Sequence, residues 1–419
     1  MIQSESAGRA VLRRRGVLIV DQGGRGGVSD YTRFLASALV DLDIPVTIAT
    51  AEDHLYPDMP GVRIEPVFHY TRGHSPLARL VRRNGLGRPA NGLRFLCALP
   101  RLALLSRRHA LTHTHGWETP SIGVIATLLL RASGAVVVYT AHNTFERGPR
   151  RLDSARVLPV LTRRTIVHTE ADRDRVSRPP AVIPHGHYGG LADDVAPVDP
   201  DAARVALGLP HEAPVVLLFG VLRPDKGLVD LLDAVAEAPE WRVVIAGEEH
   251  GGLAGAADRL AVPRLAERVT VREGFQPMGD VARLFAAADL VALPYRQASQ
   301  SGALHLAYGF KRPVVAYPVG GLVEAVIPGV TGLLCRDASP GALASALREA
   351  GTLGRSELRR LGEAGGSWAR ASFDWDHIAA STEAVYLSAL LGRPVTASND
   401  GIPAAAAPAP SAATSRVRR

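Results

Sequence analysis

The chain has 419 residues and a formal net charge of +7, with 47% hydrophobic and 21% charged residues. This composition is typical of a globular protein, and the length predicts two domains. The two cysteines, Cys97 and Cys335, are too few and too far apart for a disulfide framework or a cysteine metal site.

Short apolar strands alternate with amphipathic segments in the first half of the chain. A helix is predicted over residues 28–40, because its apolar residues recur at helical spacing. Strands are predicted at 16–21, 45–50, 135–140, 165–169 and 181–184. This rhythm predicts a parallel sheet with helices on both faces.

A break rich in Pro, Asp and Ala at 192–214 predicts an interdomain linker with one short helix. The rhythm then restarts, with strands predicted at 215–219, 242–246, 269–271, 290–294 and 313–316, and helices at 228–236, 281–287 and 302–309. The sequence therefore predicts an α/β fold of two Rossmann-like, doubly wound domains that face a cleft.

The predicted boundaries follow from these breaks. They are a disordered N-terminus at 1–15, a first domain at 16–195, a linker at 196–213, a second domain at 214–370, a terminal segment at 371–392 and a disordered tail at 393–419. The apolar run 17–20 is too short for a signal peptide, and the run 122–139 is interrupted by Arg131. We therefore expect a cytoplasmic protein.

One candidate site follows the strand 215–219, in the sequence "FGVLRPDKG". Gly220 allows a turn, and Arg223 and Lys226 precede a helix that begins near Leu228. Two cations beside the positive end of a helix predict a diphosphate site. Lys226 is one of two lysines among 48 basic residues, so a compact ammonium group at this position is unusual for the chain.

A second candidate follows the strand 290–294. Gln300, Ser301 and Gly302 open a helix, with Ser301 as a natural N-cap. Gly302 would let a ligand approach the backbone closely. A capped structural helix without a ligand explains the same pattern.

Two further strand ends carry weaker signals. The loop "DQGGRGGVSDY" places Gly26 and Gly27 at a helix start, but Ser29 breaks the dinucleotide fingerprint and the loop is not a P-loop. His142 follows the strand 135–140. His185 and His187 lack a third metal ligand, and three Asp-x-Asp triplets are interpreted as structural, so no metal site is predicted.

Together these motifs resemble the GT-B glycosyltransferases, and among them the retaining glycosyltransferase family 4. The resemblance extends over nearly all of residues 16–391, and it implies that the terminal segment 371–392 is a helix that crosses back to the first domain. It rests on the glycine loop and on "TAHN", "IVHTEADRDRV", "VIPHG", "FGVLRPDKG", "VVIAGE" and "AADLVALPY" in this order.

The resemblance implies hexosyl transfer from a nucleoside-diphosphate sugar to an acceptor hydroxyl, with no metal and no other cofactor. Arg223 and Lys226 would stabilise the charge that grows on the leaving diphosphate. Ser301 and Gly302 would donate backbone N–H groups to the same phosphates, and Gln300 belongs to this helix start.

The resemblance also assigns roles at the other strand ends. Gly220 would shape the phosphate turn, and Gly26 and Gly27 would leave room for the donor. His142 would contact the transferred sugar. Glu324 would lie on the nucleotide side, although it also suits the first turn of a helix.

The sequence departs from the family at two positions. Ala298 and Leu306 stand where the family usually carries a pair of glutamates. This loss favours an alternative, a catalytically degenerate nucleotide-sugar-binding partner or regulator, which the retained Arg223 and Lys226 oppose. A GT-B-like epimerase or phosphorylase is a third hypothesis. A phosphorylase would also need a lysine that holds a pyridoxal cofactor, and the only other lysine, Lys311, lies in a helix-to-strand turn.

The expected acceptor is a saccharide or a lipid-linked saccharide, in cell-envelope, polysaccharide or glycolipid synthesis. An arginine-rich stretch at 79–108 favours an anionic acceptor and peripheral contact with an anionic membrane at its inner face. No nucleic-acid motif accompanies the charge, so a nucleic-acid partner is not expected.

Overall fold

The computed structural model describes residues 2–70, 87–117, 120–145 and 153–393. The chain divides into two units, Met1–Gly186 with Trp375–Asn399 and His187–Asp374. The first unit therefore ends at Gly186 rather than at residue 195. The predicted tail, apart from Arg393, and Arg79, Arg82 and Arg83 lie outside the described residues.

The sheet of the first unit has seven parallel strands in the order β3-β2-β1-β4-β5-β6-β7. The strands are β1 Val17–Val20, β2 Val46–Ala51, β3 Val62–Phe68, β4 Leu111–Thr114, β5 Val137–Thr140, β6 Arg164–Val167 and β7 Ala181–Val182. Every residue of β1 is buried, as expected for a strand covered on both faces.

Six α-helices belong to the described part of the first unit: Ile2–Arg15, Gly27–Asp41, Gly87–Ser106, Pro120–Ala132, Ser154–Leu161 and Trp375–Leu391. A 3₁₀ helix, Glu170–Arg175, follows β6. The prediction of a disordered N-terminus is wrong. Residues 2–15 form a helix whose Leu12 is buried and whose Gly8 approaches Leu387, because Gly8 and Leu12 share one face at helical spacing.

The sheet of the second unit has six parallel strands in the order β10-β9-β8-β11-β12-β13. The strands are β8 Val215–Phe219, β9 Arg242–Gly247, β10 Val269–Glu273, β11 Leu290–Leu293, β12 Val314–Ala316 and β13 Gly332–Leu334.

The helices of the second unit are Gly189–Asp193, Pro200–Leu207, Leu228–Ala236, Gly252–Gly255, Ala257–Leu260, Pro263–Ala266, Met278–Ala287, Gly302–Gly309, Gly321–Ala325 and Pro340–Ser372. The last of these is kinked at Gly354. A short 3₁₀ helix, Pro224–Lys226, follows β8. No helix among the described residues is both long enough and apolar enough to span a bilayer.

The segment predicted as a linker, 196–213, is instead packed into the second unit. Its helix Pro200–Leu207 carries the buried Arg204, whose guanidinium lies 2.7 Å from the largely buried Asp289 carboxylate. The same carboxylate accepts a hydrogen bond from the Val215 N–H at 2.8 Å. Asp289 is thus a structural residue that fixes this helix at the start of β8, since a broken buried ion pair is strongly destabilising.

Each sheet reverses its strand order once, between β1 and β4 in the first unit and between β8 and β11 in the second. The loops that leave the carboxyl ends of these strands diverge to opposite sides of the sheet. Ligands of doubly wound folds bind at such switch points. The predicted site residues Gly26, Gly220 and Lys226 all lie on loops that leave these strands.

Candidate functional site

The glycine loop after β1 is organised by Asp21, a buried residue that the sequence did not single out. Its carboxylate accepts hydrogen bonds from the Gly23 and Gly24 N–H groups at 3.2 Å and from the Ser29 and Tyr56 hydroxyls at 2.5 Å. Ser29, the residue that breaks the dinucleotide fingerprint, therefore helps to hold the glycine loop through its hydrogen bond to Asp21.

Gly26 and Gly27 lie at the exposed outer end of this loop. Gly26 has a φ of 75° and is the residue before the helix Gly27–Asp41. A Cβ atom at Gly26 would meet nothing within 4 Å, so the space beside it is open. The positive φ, rather than packing, is what favours glycine at this position.

Four histidines surround Tyr31 at the carboxyl edge of the first sheet. His115, His142, His168 and His185 follow β4, β5, β6 and β7, and their ring centroids lie 4.7–5.3 Å from that of Tyr31. The sequence predicted only His142 as a site residue. The positions of the other three, each just after a parallel strand, could have identified them. For His115 this signal was not visible in the sequence, because β4 was not predicted.

The hydrogen bonds of His168 fix the tautomer of His142. His168 Nδ1 lies 2.9 Å from the Ile183 carbonyl oxygen, which only accepts, so Nδ1 carries the proton. In neutral His168 the Nε2 atom therefore accepts, and it lies 3.0 Å from His142 Nδ1. His142 donates from Nδ1, which leaves its Nε2 as an unprotonated acceptor.

His115 is held in the same way. Its Nδ1 lies 2.6 Å from the Thr32 hydroxyl, which itself donates to the Val28 carbonyl, so His115 donates from Nδ1. The Nε2 atoms of His115 and His142 are both buried and have no hydrogen-bond partner among the residues that the structure describes. Burial, together with neighbouring imidazoles, holds the pKa of both histidines well below the ordinary value. Both rings are therefore neutral acceptors at neutral pH.

These histidines line a cavity of about 380 Å³ within the first unit, at the ends of β1, β4 and β5. Trp117, whose indole N–H is also buried without a partner, lines the same cavity. Asp21, Gly23 and Arg25 contribute from the glycine loop, whereas Gly26 and Gly27 lie outside the lining. Two imidazole acceptors and one indole donor suit a ligand with several hydroxyl groups, since an unpaired buried polar atom is destabilising.

In the second unit, Arg223 and Lys226 have different surroundings. The Arg223 guanidinium donates two hydrogen bonds to the Asp225 carboxylate, at 2.9 and 3.0 Å. The Lys226 ammonium lies 3.5 Å from the centroid of the Tyr295 ring. Gly220 begins this turn with a φ of 115°, a conformation that favours glycine.

Tyr295 joins the two predicted phosphate-binding segments. It follows β11, is 2% exposed, and its hydroxyl lies 3.5 Å from the Ser301 hydroxyl. Burial raises the pKa of Tyr295 to about 12, so the phenol is neutral and its ring face attracts the Lys226 cation. Lys226 and Ser301, distant in sequence, thus contact the same side chain. Tyr295 was missed because its role depends on this long-range contact.

Ser301 caps the helix Gly302–Gly309, as predicted, by accepting a hydrogen bond from the Leu304 N–H at 3.2 Å. A Cβ atom at Gly302 would meet only Tyr188, at an ordinary contact distance of 3.5 Å. Packing in the second unit therefore does not require a glycine here. The neighbouring Gln300 has a buried side-chain oxygen for which the described ranges hold no hydrogen-bond partner.

Glu324 lies on the short helix Gly321–Ala325 after β12, and it is exposed. The loop before this helix packs directly on the loop that holds Gln300. The Gly321 N–H donates to the Ser299 carbonyl at 3.1 Å, and a Cβ at Gly320 would lie 1.7 Å from the Ala298 carbonyl oxygen. Glu324 and Gln300 therefore lie on adjoining loops.

Within the described ranges, no group of three or more His, Cys, Asp or Glu side chains is arranged to hold a metal ion. Asp199 caps the helix Pro200–Leu207, and Asp172 accepts hydrogen bonds from the Thr144 and Thr169 hydroxyls. Two of the three Asp-x-Asp triplets thus have structural partners. Metal independence itself stays a prediction.

Two doubly wound parallel sheets with polar strand ends at their switch points define the GT-B class of glycosyltransferases. Residues 213–351 match the family described as Glycosyl transferases group 1, and residues 26–173 match the Glycosyl transferase 4-like domain. The chain belongs to the group 1 glycosyltransferases, and it is a glycosyltransferase.

Relatives and solved structures agree with this assignment. The D-inositol 3-phosphate glycosyltransferase of Segniliparus rotundus is 32% identical, over 68% of this chain and 67% of the relative. Anabaena HepE in complex with UDP-glucose has a TM-score of 0.67 at 20% identity, over 88% of this chain and 99% of HepE. The catalytic domain of Arabidopsis thaliana starch synthase IV, bound to ADP and acarbose, has a TM-score of 0.70 at 16% identity, over 90% and 99%. These matches confirm the predicted fold class and enzyme class, and they do not favour a degenerate binding protein.

Proposed function

We propose that the protein transfers a hexose from a nucleoside-diphosphate hexose to a hydroxyl of a polyol or saccharide acceptor. The observation that carries this proposal is the contact of Lys226 and Ser301 with one buried ring, Tyr295, at the switch point of the second sheet. A cation and a capped helix start are thereby held together where a diphosphate would lie.

Arg223 and Lys226 would both stabilise the leaving-group charge. The Arg223 guanidinium is already paired with Asp225 through two hydrogen bonds, which reduces the positive charge it offers to a ligand. The Lys226 ammonium lies on the face of the Tyr295 ring. Negative charge grows on the diphosphate as the glycosidic bond breaks, so this contact strengthens in the transition state.

Ser301 and Gly302 would present backbone N–H groups to the phosphates from the first turn of their helix. The unpartnered oxygen of Gln300 would accept a hydrogen bond from a hydroxyl of the bound donor. Gly220 would keep the phosphate turn open, and Glu324 would contact the nucleoside from the adjoining loop.

The cavity of the first unit would hold hydroxyl-rich groups of the substrates. His142 would accept a hydrogen bond from the transferred sugar through Nε2, because its Nδ1 proton is committed to His168. Gly26 and Gly27 would leave room for the donor at the loop end. The relative from Segniliparus rotundus is named for inositol 3-phosphate, a phosphorylated polyol. A polyol phosphate and a lipid-phosphate-linked saccharide share a phosphate beside hydroxyls, a chemistry suited to cell-envelope or glycolipid synthesis.

The donor is tested by a thermal-shift panel of nucleoside-diphosphate hexoses on the purified chain. A donor at 100 times its dissociation constant adds about 2.7 kcal/mol of stability. The stabilising donor is then tested for transfer to inositol phosphates and to polyprenyl-phosphate saccharides, with products identified by mass spectrometry. These two acceptor arms distinguish a free from a lipid-linked phosphate.

The two lysines of the chain provide a matched pair of variants. Lys226→Gln should lower kcat/KM by about 10²- to 10³-fold, the scale found when one charge-stabilising group of an active site is removed. Lys311→Gln, at an exposed turn of the same unit, should leave it unchanged. Wild-type activity in Lys226→Gln would overturn the proposed site, and the absence of transfer or donor hydrolysis with every donor would overturn the reaction.

A further inference from the structure

Two helices of the first unit, Gly87–Ser106 and Pro120–Ala132, pack against each other and expose large apolar side chains. Seven leucine or isoleucine side chains are exposed among the described residues, and six of them lie on these two helices. The six form what we call the apolar face: Leu93, Leu96, Leu104, Ile125, Leu128 and Leu129, with exposures of 43–65%. Single exposed leucines are ordinary, but such a cluster marks an interaction surface.

Helical spacing separates two sides of the helix Gly87–Ser106. The buried side consists of Phe95, Ala98, Leu99 and Leu102. The outward side consists of Leu93, Leu96, Cys97, Pro100 and Leu104. Because neighbours three, four and seven positions apart share a side, this helix carries a continuous apolar stripe away from the core.

The helix Pro120–Ala132 has the same pattern. Ile125, Leu128 and Leu129 are three and four residues apart, and all are exposed. Ser121 and Ala132 complete this side, four residues before and seven residues after Ile125. The exposed Arg131, three residues after Leu128, lies at the edge of this side, and the rest of the side is uncharged, which is unusual for a helix side that faces water.

The helix Gly87–Ser106 carries arginines and no acidic residue, although one of these arginines, Arg101, lies 3.4 Å from the Glu65 carboxylate of β3. On the helix Gly87–Ser106, the exposed Arg94 and Arg101 are seven residues apart and flank the leucine stripe on one side. Arg107 and Arg108 follow the end of the helix and are also exposed.

We propose that the apolar face docks on an anionic lipid bilayer, with the leucines at the headgroup boundary and the arginines on lipid phosphates. An apolar helix side flanked by arginines is the pattern of segments that lie in the membrane interface. Anionic lipids attract each arginine near the surface. A symmetric pair of copies would instead bring two arginine-rich rims together, and their repulsion disfavours that occupant.

This docking is tested by co-sedimentation of the full chain with vesicles, independently of any glycosyl transfer. Vesicles of phosphatidylcholine and phosphatidylglycerol in equal parts should bind the wild type, and vesicles of phosphatidylcholine alone should bind it weakly. Arg94→Gln with Arg108→Gln should lower the partition coefficient roughly 25-fold, about fivefold for each arginine, which corresponds to about 1 kcal/mol per charge.

The apolar contribution is tested by a triple variant, Leu93→Ser with Leu96→Ser and Leu104→Ser. It should bind at least tenfold more weakly, on the order expected when three leucines lose apolar contact. The matched control changes three exposed apolar residues of the second unit, Val205→Ser with Val262→Ser and Phe275→Ser, and should bind like the wild type.

Circular dichroism and thermal melts establish that all these variants are folded. The proposal is overturned if the wild type ignores anionic vesicles, or if the triple serine variant still binds them like the wild type. It is also overturned if the wild type forms dimers that the triple variant abolishes while neither binds vesicles, because the apolar face would then join two copies of the chain.

Discussion

A substitution at Gly302 can distinguish a role in ligand binding from a role in packing. The substitution Gly302→Ala adds one methyl group at the first residue of the helix Gly302–Gly309. The added Cβ would meet Tyr188 at 3.5 Å, an ordinary contact, and the backbone φ does not lie in the range that disfavours alanine. Alanine is favoured over glycine in helix interiors by up to about 1 kcal/mol and by less at an end, so stability should be unchanged or slightly higher.

Donor binding should respond differently. If the backbone N–H groups of Ser301 and Gly302 donate to a phosphate, the methyl group prevents the ligand from approaching within hydrogen-bond distance. One hydrogen bond to a charged group contributes about 1.5–3 kcal/mol, which corresponds to a roughly 10- to 150-fold higher Kd for the nucleoside diphosphate. Calorimetric titration measures the Kd, and a thermal melt measures the stability.

The matched control is Gly279→Ala, at the second residue of the helix Met278–Ala287, where an added Cβ would meet nothing within 4 Å. It should alter neither Kd nor Tm appreciably. A Gly302→Ala variant that binds the donor as tightly as the wild type would refute a close backbone approach. A variant that unfolds would refute the packing argument.

Three further outcomes are expected. Burial lowers the pKa of His113 to about 3 and that of His168 to about 4. Below pH 6.5 the unfolded chain therefore binds more protons than the folded chain, and stability is lost as the pH falls. Between pH 7 and pH 5 each of these histidines should lower the free energy of unfolding by about 2 kcal/mol. Burial raises the pKa of Asp30 to about 6, and this shift acts in the opposite direction and offsets part of the loss. Urea unfolding that shows the same stability of the first unit at pH 5 as at pH 7 would contradict these shifts. His168→Leu should lower kcat/KM roughly tenfold and change its pH profile, because His142 loses its fixed tautomer. His168→Gln keeps a hydrogen-bond acceptor and should recover activity. Equal rates in the two variants would exclude a positioning role for His168. Transfer should persist after dialysis against a chelator, and activity that returns only with a divalent cation would refute metal independence.

The sequence predicted several strands that are continuous apolar runs, but not β3, although its residues 62–65 alternate between apolar and charged. The strands β1, β8 and β11 are buried apolar runs, and each was predicted within two residues of its observed ends. β4 was not predicted, because its residues Leu111–Thr114 include two threonines and a histidine. Its polarity is satisfied inside the unit, where His113 bonds to the Tyr386 hydroxyl at 2.8 Å and to the Thr140 hydroxyl at 2.7 Å. A strand stabilised by such distant partners has no local signature.

The predicted site residues with a local signature lie where a strand end should put them. Lys226 was noticed because lysine is rare in the chain, and Ser301 because a serine before a helix is a cap. Tyr295 and His168 have no such mark. Tyr295 acquires its role only when β8 and β11 pair, and His168 only when β5 and β6 pair. Long-range pairing of this kind does not follow from composition or periodicity.

The missing pair of glutamates affects how the donor sugar could be held. Ala298 and Leu306 are buried and apolar, so neither position offers a group that could hold a sugar hydroxyl. Gln300 lies two residues after Ala298, and its buried side-chain oxygen has no hydrogen-bond partner in the described part of the chain. Under the proposed function this amide would orient the donor without a negative charge. A neutral amide stabilises developing positive charge on the sugar less well than a carboxylate, so catalysis would depend more heavily on the cation at Lys226. The chain's retention of a lysine at this one strand end, while arginine replaces it almost everywhere else, is consistent with that dependence.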